Sequence, residues 1–130
     1  RGWWLGFEGT IGGKLAFCWD NNIIRCTTTP EYDTWNHVVV QRENTGTQGL
    51  KIFLNGNLEA AGTMPQTVNT YTWAGAYTNS ALLIGMNHST GYYSSDNFVG
   101  FVDDIRLTYG IARYANTTTI TVPTAYTNER

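Results

Sequence analysis

The 130-residue chain has little charge, and this excludes several classes of protein. Asp, Glu, Lys and Arg make up 14% of it, Lys occurs only at Lys14 and Lys51, and the formal net charge is -2. Because binding to nucleic-acid phosphates needs concentrated positive charge, a nucleic-acid partner is not expected. No apolar run approaches the roughly 20 residues that span a bilayer, so membrane insertion is not expected either.

Cysteine is also scarce: Cys18 and Cys26 are the only two, and no CxxC pair indicates a zinc site. Both lie in LAFCWDNNIIRC, which has the pattern of a hairpin that turns near Asp20-Asn21-Asn22. If this hairpin is symmetric about Asn22, Cys18 faces Cys26, and a disulfide there contributes about 2.5 kcal/mol. The alternative is two small buried thiols. A disulfide would favour an extracellular or virion setting.

The residues that remain favour strands, since β-branched and aromatic types are abundant and strong helix formers are few. Leu50–Leu54 alternates and runs into Asn55-Gly56, a strong hairpin signal. Trp35–Arg42 contains Val-Val-Val, which favours a central strand covered on both faces. The predicted strands are Trp3–Glu8, Lys14–Asp20, Ile23–Thr29, Trp35–Arg42, Leu50–Leu54, Asn57–Thr63, Ala81–Gly85, Phe98–Leu107 and Thr117–Val122. Polar loops are predicted over Met64–Asn79 and Met86–Asn97, and the whole pattern predicts one all-β domain over residues 1–130.

Three segments, in order, resemble the laminin G-like branch of the concanavalin A-like lectin/glucanase superfamily. They are TWNHVVVQR (Thr34–Arg42), LKIFLNGNLEAAG (Leu50–Gly62), and LLIGMN followed by FVGFVDDIRLTYGIARY. The GIARY at Gly110–Tyr114 is similar to the GVARY segment of laminin G-like domains in bacteriophage tail and virion proteins. The resemblance implies a two-sheet antiparallel jelly-roll sandwich, located in a virion or on an extracellular surface.

Members of this family usually open with one or two strands ahead of the segment that matches Trp3. Those strands are not in the sequence, so they are missing or supplied elsewhere. An open sheet edge left by their absence needs cover from a neighbouring chain. We therefore expect a homo-oligomer or a place in a larger assembly.

Catalysis is not expected. The β-glucanases of the superfamily carry a Glu-x-Asp-x-x-Glu pattern that this chain lacks, and its glutamates are isolated. Asp103 and Asp104 are adjacent, and neighbours on a strand point to opposite faces, so they do not form the carboxylate pair of a glycosidase. These two aspartates either bond loop amides or Arg106, or ligate a metal. His88 beside Ser89 is not a catalytic triad.

Aromatic side chains on loops, with amides and carboxylates beside them, are typical of sugar-binding sites. The candidate glycan-binding residues are Tyr71, Trp73, Tyr77, Tyr92, Tyr93, Asp96 and Asn97. The alternatives for these aromatics are packing within the domain or contact with a neighbouring subunit. Related domains often bind calcium through loop oxygens, and the candidate ligands here are Asp20, Asn21, Asp96 and Asn97. Since Asp and Asn are also ordinary turn formers, a turn role is the alternative.

The sequence therefore predicts a non-catalytic binding or assembly module whose partner is a carbohydrate or a neighbouring virion or surface protein. A purely structural domain that makes subunit contacts without binding glycans is the alternative. The fold alone does not decide between them, because function belongs to the site rather than to the scaffold.

Overall fold

The computed structural model describes most of the chain. It covers residues 3–8, 12–19, 22–64, 84–89 and 92–124, with the backbone alone described for Met86–Ser89 and Tyr92–Asn97. Regular structure in these residues is β-strand, and none of them lies in a helix long and apolar enough to cross a membrane. The prediction of an all-β fold is confirmed.

The chain divides into two compact units. The larger consists of Arg1–Thr72 and Gly110–Arg130, and the smaller is Trp73–Tyr109. The prediction of one domain over residues 1–130 stays a prediction.

The larger unit contains two antiparallel three-stranded sheets. Strands of the first sheet, in spatial order, are β1 (Trp3–Glu8), β2 (Lys14–Trp19) and β3 (Asn22–Arg25). Strands of the second, also in spatial order, are β4 (Val38–Arg42), β5 (Leu50–Leu54) and β6 (Asn57–Gly62). Asn55 and Gly56 join β5 to β6 with φ of 48° and 88°, the positive values that a type I′ turn needs, so the hairpin prediction is confirmed.

The core lies between the two sheets, as in a sandwich. Alternation along β2 turns Leu15, Phe17 and Trp19 to one face, where each is at most 7% exposed. On β5, Leu50 and Ile52 meet them from the second sheet. The remaining members of this cluster are Cys26 and Met64, with Ile24, Val38, Val40 and Ala60 packed against it.

The prediction that the Val-Val-Val strand is central is wrong for the described strands. In the order β4-β5-β6, the strand with the three valines is at the edge and β5 is central. The central strand β5 is covered on both faces. Phe53 points away from the core face and is still fully buried, because the ring of Tyr114 packs against it with centroids 6.5 Å apart.

The hairpin that contains the cysteines turns earlier than a turn symmetric about Asn22, so the partner of Cys18 lies three residues before Cys26. Trp19 pairs with Asn22, and Cys18 pairs with Ile23. Cys18 and Cys26 are not bonded to each other, so the predicted disulfide is absent from the structure, and of the two thiols Cys26 is buried while Cys18 is half-buried. The physical reason is the preference of hairpins for two-residue connections, which shifts the register away from a Cys18–Cys26 pair.

The smaller unit contains a hairpin of β7 (Met86–Ser89) and β8 (Tyr92–Asn97), where the sequence predicts a loop. The many polar residues of this segment obscure the alternation that usually predicts strands. Two features nevertheless favour a hairpin: only Thr90 and Gly91 lie between the strands, which is a usual hairpin length, and tyrosine favours strands. The strand predicted at Ala81–Gly85 is not formed at Ile84 and Gly85, and its other residues lie outside those described.

The strand predicted at Phe98–Leu107 is absent. Asp104 has a left-handed φ of 48°, and its backbone N–H donates to the Asp103 carboxylate at 2.8 Å. Such local bonding competes with a sheet ladder. The alternating apolar residues are consequently exposed, with Phe101 at 87%.

The last predicted strand, Thr117–Val122, is reduced to one antiparallel bridge between Thr119 and Asn57. The hydroxyl of Thr117 donates to the Thr119 carbonyl and accepts from the Thr119 N–H at 3.2 Å. The bridge itself is made by the Leu58 N–H, which donates to the Thr118 carbonyl at 2.9 Å, and by the Ile120 N–H, which donates to the Gly56 carbonyl at 2.7 Å.

Candidate functional site

The connection from β3 to β4 presents two exposed aromatic side chains. Within its Pro30–Asn36 segment, which we call the aromatic loop, Tyr32 is 80% exposed and Trp35 is 67% exposed. Glu31 and Asp33 are exposed beside them. The loop thus combines two ring faces with two carboxylates in a stretch of seven residues.

The side chain of Asn36 holds this loop in shape. Its Nδ2 donates to the Glu31 carbonyl at 2.8 Å and to the Thr34 carbonyl at 3.3 Å. Its Oδ1 accepts from the Glu31 N–H at 3.3 Å. One amide therefore satisfies three backbone groups of the loop, as asparagine does in tight turns.

Asn55, in the β5–β6 turn, fixes the loop to the second sheet. Its Nδ2 donates to Asn36 Oδ1 at 2.9 Å, and its Oδ1 accepts from the His37 N–H at 2.8 Å. Its own N–H donates to the His37 carbonyl at 2.8 Å. The turn residue therefore has a second role, as the anchor of the aromatic loop. Because the His37 N–H bonds the Asn55 side chain rather than a strand carbonyl, β4 begins at Val38 rather than at the predicted Trp35.

Glu59 fixes the other end of the same connection. It is the extra residue of a β-bulge in β6, since Ile52 pairs with Ala60 and Phe53 pairs with Leu58. Its carboxylate accepts from the backbone N–H groups of Thr27 at 3.1 Å and Thr28 at 2.9 Å.

The carboxylate of Glu59 is held in its charged form by these contacts. Burial raises its pKa, but the hydrogen bonds from Thr27 and Thr28 outweigh burial and leave the pKa below its ordinary value.

The Tyr32 ring reaches back to the turn before β2. A Cβ added at Gly13 would lie 3.0 Å from the Tyr32 hydroxyl, and Gly13 has a φ of 71°. Both the turn geometry and the close tyrosine thus favour glycine at this position. The ring is placed against the backbone while most of its surface faces solvent.

The residues predicted to bind ligands all lie where the structure describes no side chains. Tyr71, Trp73, Tyr77, Asp20 and Asn21 lie outside the described residues. The remaining four, Tyr92, Tyr93, Asp96 and Asn97, are backbone positions of β8. The glycan and calcium assignments to these nine residues stay predictions.

Tyr32 and Trp35 are the residues that the sequence analysis missed. The sequence pattern places Tyr32 between two predicted strands and Trp35 at the start of the second. The available signal was a pair of aromatics three residues apart, after Pro30 and around Asp33. The sequence alone does not indicate that both rings stay outside the core.

Metal ligation and thiol chemistry find little support in the described part of the chain. No group of three or more His, Cys, Asp or Glu side chains there could hold a metal ion. Asp103 accepts from a backbone N–H, as its structural interpretation expects. Cys26 is buried, and burial, followed by the nearby charge of Glu59, raises the pKa of its thiol to about 11.

Residues 2–116 match the model of a laminin G-like family described as concanavalin A-like lectin/glucanases superfamily. The chain belongs to this family. The match includes residues of both compact units and the whole aromatic loop. The two antiparallel sheets of this laminin G-like chain are consistent with the sandwich of its superfamily. No curated protein and no solved structure matches it.

Proposed function

We propose that this laminin G-like chain is a non-catalytic carbohydrate-binding module and that the aromatic loop is its recognition surface. The observation that carries the proposal is the exposure of Tyr32 and Trp35 on a loop whose backbone is held by Asn36 and Asn55. The superfamily description, which names lectins, supports the same class of function.

Pre-organisation is the physical reason that this loop suits weakly polar ligands. A ligand that binds a loop already held by hydrogen bonds does not have to order it, so more of the contact energy becomes affinity. Ring faces pack against the C–H face of a sugar, and the carboxylates of Glu31 and Asp33 can accept hydrogen bonds from its hydroxyls.

Three of the four described glutamates, all outside the aromatic loop, are held in structural contacts, and this supports a non-catalytic role. Glu8 is paired with Arg25 and Glu43 with Lys51, and the hydrogen bond from each partner lowers the pKa of the glutamate. Glu59 is bonded to Thr27 and Thr28. A general acid at neutral pH needs a raised pKa, which is the opposite shift.

The test is a glycan array followed by titration of the strongest ligand, run with calcium and with chelator. Replacing Trp35 by Ala removes one stacking ring, so affinity should fall about tenfold, which corresponds to roughly 1.4 kcal/mol. Tyr32→Ala should act in the same direction.

Tyr109→Ala is the matched control, because Tyr109 is 89% exposed and lies outside the loop. Equal losses in Trp35→Ala and Tyr109→Ala would contradict the assignment of the site. Binding that chelator abolishes would move the site to Asp20, Asn21, Asp96 and Asn97, and folded protein that binds no glycan would favour the purely structural role.

We also propose that the module works in a virion or on an extracellular surface. The support is the similarity of Gly110–Tyr114 to laminin G-like domains of phage tail and virion proteins. Mass spectrometry of purified virions and of cell-surface fractions tests this location. Recovery of the chain only from the interior of cells would contradict the proposal.

A further inference from the structure

The turn between β5 and β6 contains a chemically reactive pair of residues. The backbone nitrogen that follows an asparagine can attack the carbonyl carbon of the asparagine side chain. The attack is easiest when the following residue is glycine, because glycine has no side chain to hinder it. Asn55-Gly56 is the one Asn-Gly pair in the sequence, and the Asn55 side chain is exposed. The ladder closes on Leu54 and Asn57, so strand pairing does not need the Gly56 N–H.

Two hydrogen bonds hold the Asn55 side chain in the folded chain. Its Oδ1 accepts from the His37 N–H at 2.8 Å, and its Nδ2 donates to Asn36 Oδ1 at 2.9 Å. The reaction needs the Asn55 carbonyl carbon to come within bonding distance of the Gly56 nitrogen, and these bonds oppose that movement. Its rate should therefore depend on how often the bonds to Asn36 and His37 open.

We propose that Asn55 is a site of spontaneous deamidation and that the reaction releases the aromatic loop from the second sheet. The Gly56 nitrogen bonds to Cγ of Asn55, the Cγ–Nδ2 bond breaks, and ammonia leaves with the proton that the Gly56 nitrogen gives up. Water then adds across a C–N bond of the resulting ring, which restores a backbone N–H and leaves a carboxylate. Depending on which bond opens, the product is aspartate or isoaspartate.

Loss of the amide removes the contact between the turn and the loop. The new carboxylate can still accept from the His37 N–H, but it has no proton to donate, so two acceptor oxygens face each other where Asn36 Oδ1 was bonded. Turning the Asn36 amide over does not help, because its Nδ2 donates to the Glu31 and Thr34 carbonyls and its Oδ1 accepts from the Glu31 N–H. The loop therefore loses either its anchor or its shape.

Isoaspartate disturbs the turn as well. Its main chain runs through the side-chain carbonyl carbon and is longer by one carbon atom than that of an ordinary residue. A type I′ turn has only two central residues of fixed geometry, and Leu54 and Asn57 are already paired on either side of it. Both products thus weaken the attachment of the aromatic loop.

Peptide mapping by mass spectrometry, after the folded protein is incubated at mildly alkaline pH, tests the reaction. Asn116 is the internal comparison, since it is also exposed and has a φ of 58°, close to the 48° of Asn55, but is followed by the branched Thr117. Deamidation should accumulate at Asn55 first. An Asn55 that stays intact, or reacts no faster than Asn116, would overturn the proposal.

The control of the reaction by the loop has its own test. Asn36→Ala removes the acceptor of the Asn55 amide and should speed deamidation about tenfold, the effect of losing one hydrogen bond. Thr34→Ala is the matched control, because it changes the same loop and leaves both bonds of the Asn55 side chain in place. Equal rates in the two variants would show that the loop does not hold Asn55, and would overturn the proposal.

Asn55→Asp reproduces one product without the reaction, and Asp-Gly also favours a type I′ turn. Hydrogen exchange at the Glu31 N–H, whose acceptor is Asn36 Oδ1, should become about tenfold faster. Asn44→Asp is the matched control, because a carboxylate there can still accept from the Gly46 N–H. Unchanged exchange at Glu31 would overturn the release of the loop.

The effect of deamidation on ligand binding rests on the proposed function: affinity for the glycan should fall as the product accumulates. The mapping and exchange measurements involve no glycan. If the chain bound no glycan, the proposed function would fail, and these measurements would still decide whether Asn55 deamidates and whether the loop is released.

Discussion

Gly62 illustrates, at the residue scale, how closely the two sheets approach each other. It lies at the end of β6, and an added Cβ would lie 2.6 Å from Cγ2 of Ile24 and 3.8 Å from the Trp19 ring. Two carbon atoms do not approach this closely, so a larger residue must displace the Ile24 side chain or the strand that carries it. Glycine is required here by the packing of the sheets, because its φ is not among the positive values.

We expect Gly62→Ala to lower the free energy of unfolding by about 1–3 kcal/mol, the usual cost of overpacking a core. Urea denaturation measures it. Gly6→Ala is the matched control, since a Cβ at Gly6 meets only the Trp4 ring, at 3.6 Å, an ordinary contact. Equal urea midpoints for Gly62→Ala and Gly6→Ala would show that the contact with Ile24 imposes no constraint.

At the scale of elements, Glu43 attaches the segment after Gly110 to the second sheet. One carboxylate oxygen accepts from Lys51 Nζ at 2.7 Å, from Gln41 Nε2 at 3.0 Å and from the Asn116 N–H at 3.2 Å. The side chains of Lys51 and Glu43 are only 12% and 8% exposed. This charge therefore connects β4, β5 and the Asn116 turn at a place largely shielded from water.

Glu43→Gln should destabilise the chain by about 2–3 kcal/mol, because it leaves the Lys51 ammonium shielded without an opposite charge. Hydrogen exchange should also show faster opening at Tyr114 and Asn116, whose N–H groups donate to Gln41 and Glu43. Glu31→Gln is the control, since the Glu31 side chain is exposed. Unchanged exchange at Asn116 would contradict the role of Glu43.

For the whole molecule, three carboxylates make stability depend on pH in acid. The hydrogen bond from Arg25 lowers the pKa of Glu8, and the hydrogen bond from Lys51 lowers that of Glu43. Burial raises the pKa of Glu59, but the hydrogen bonds from Thr27 and Thr28 lower it by more than burial raises it. The pKa of Glu59 therefore also lies below its ordinary value of 4.5. A group whose pKa is lower in the folded chain stabilises it fully above the unfolded value, and less as pH falls through the folded value.

The melting temperature should therefore hold constant at pH values well above 4.5 and fall steeply below it. A variant with Gln at positions 8, 43 and 59 should be less stable near neutral pH and should lose less of its stability in acid. Thermal unfolding followed by circular dichroism across this range measures both curves. If the melting temperatures of wild type and variant fell in parallel as the pH is lowered, these carboxylates would not be the source of the acid response.

The sequence by itself determined the elements whose signals are local. β1 and β5 have the predicted bounds, and Asn55-Gly56 forms the predicted turn, because alternation and positive-φ residues act over a few positions. The family resemblance also follows from the sequence and is confirmed over residues 2–116.

Only the tertiary structure decided which side chains are covered. Phe98–Leu107 alternates as a strand does and is not one, because a strand needs a neighbouring ladder that no local pattern supplies. The aromatic loop went unrecognised for a related reason. Burial of Trp19 and exposure of Trp35 depend on whether the opposite sheet reaches each ring, and that is settled by how the two sheets pack rather than by residue type.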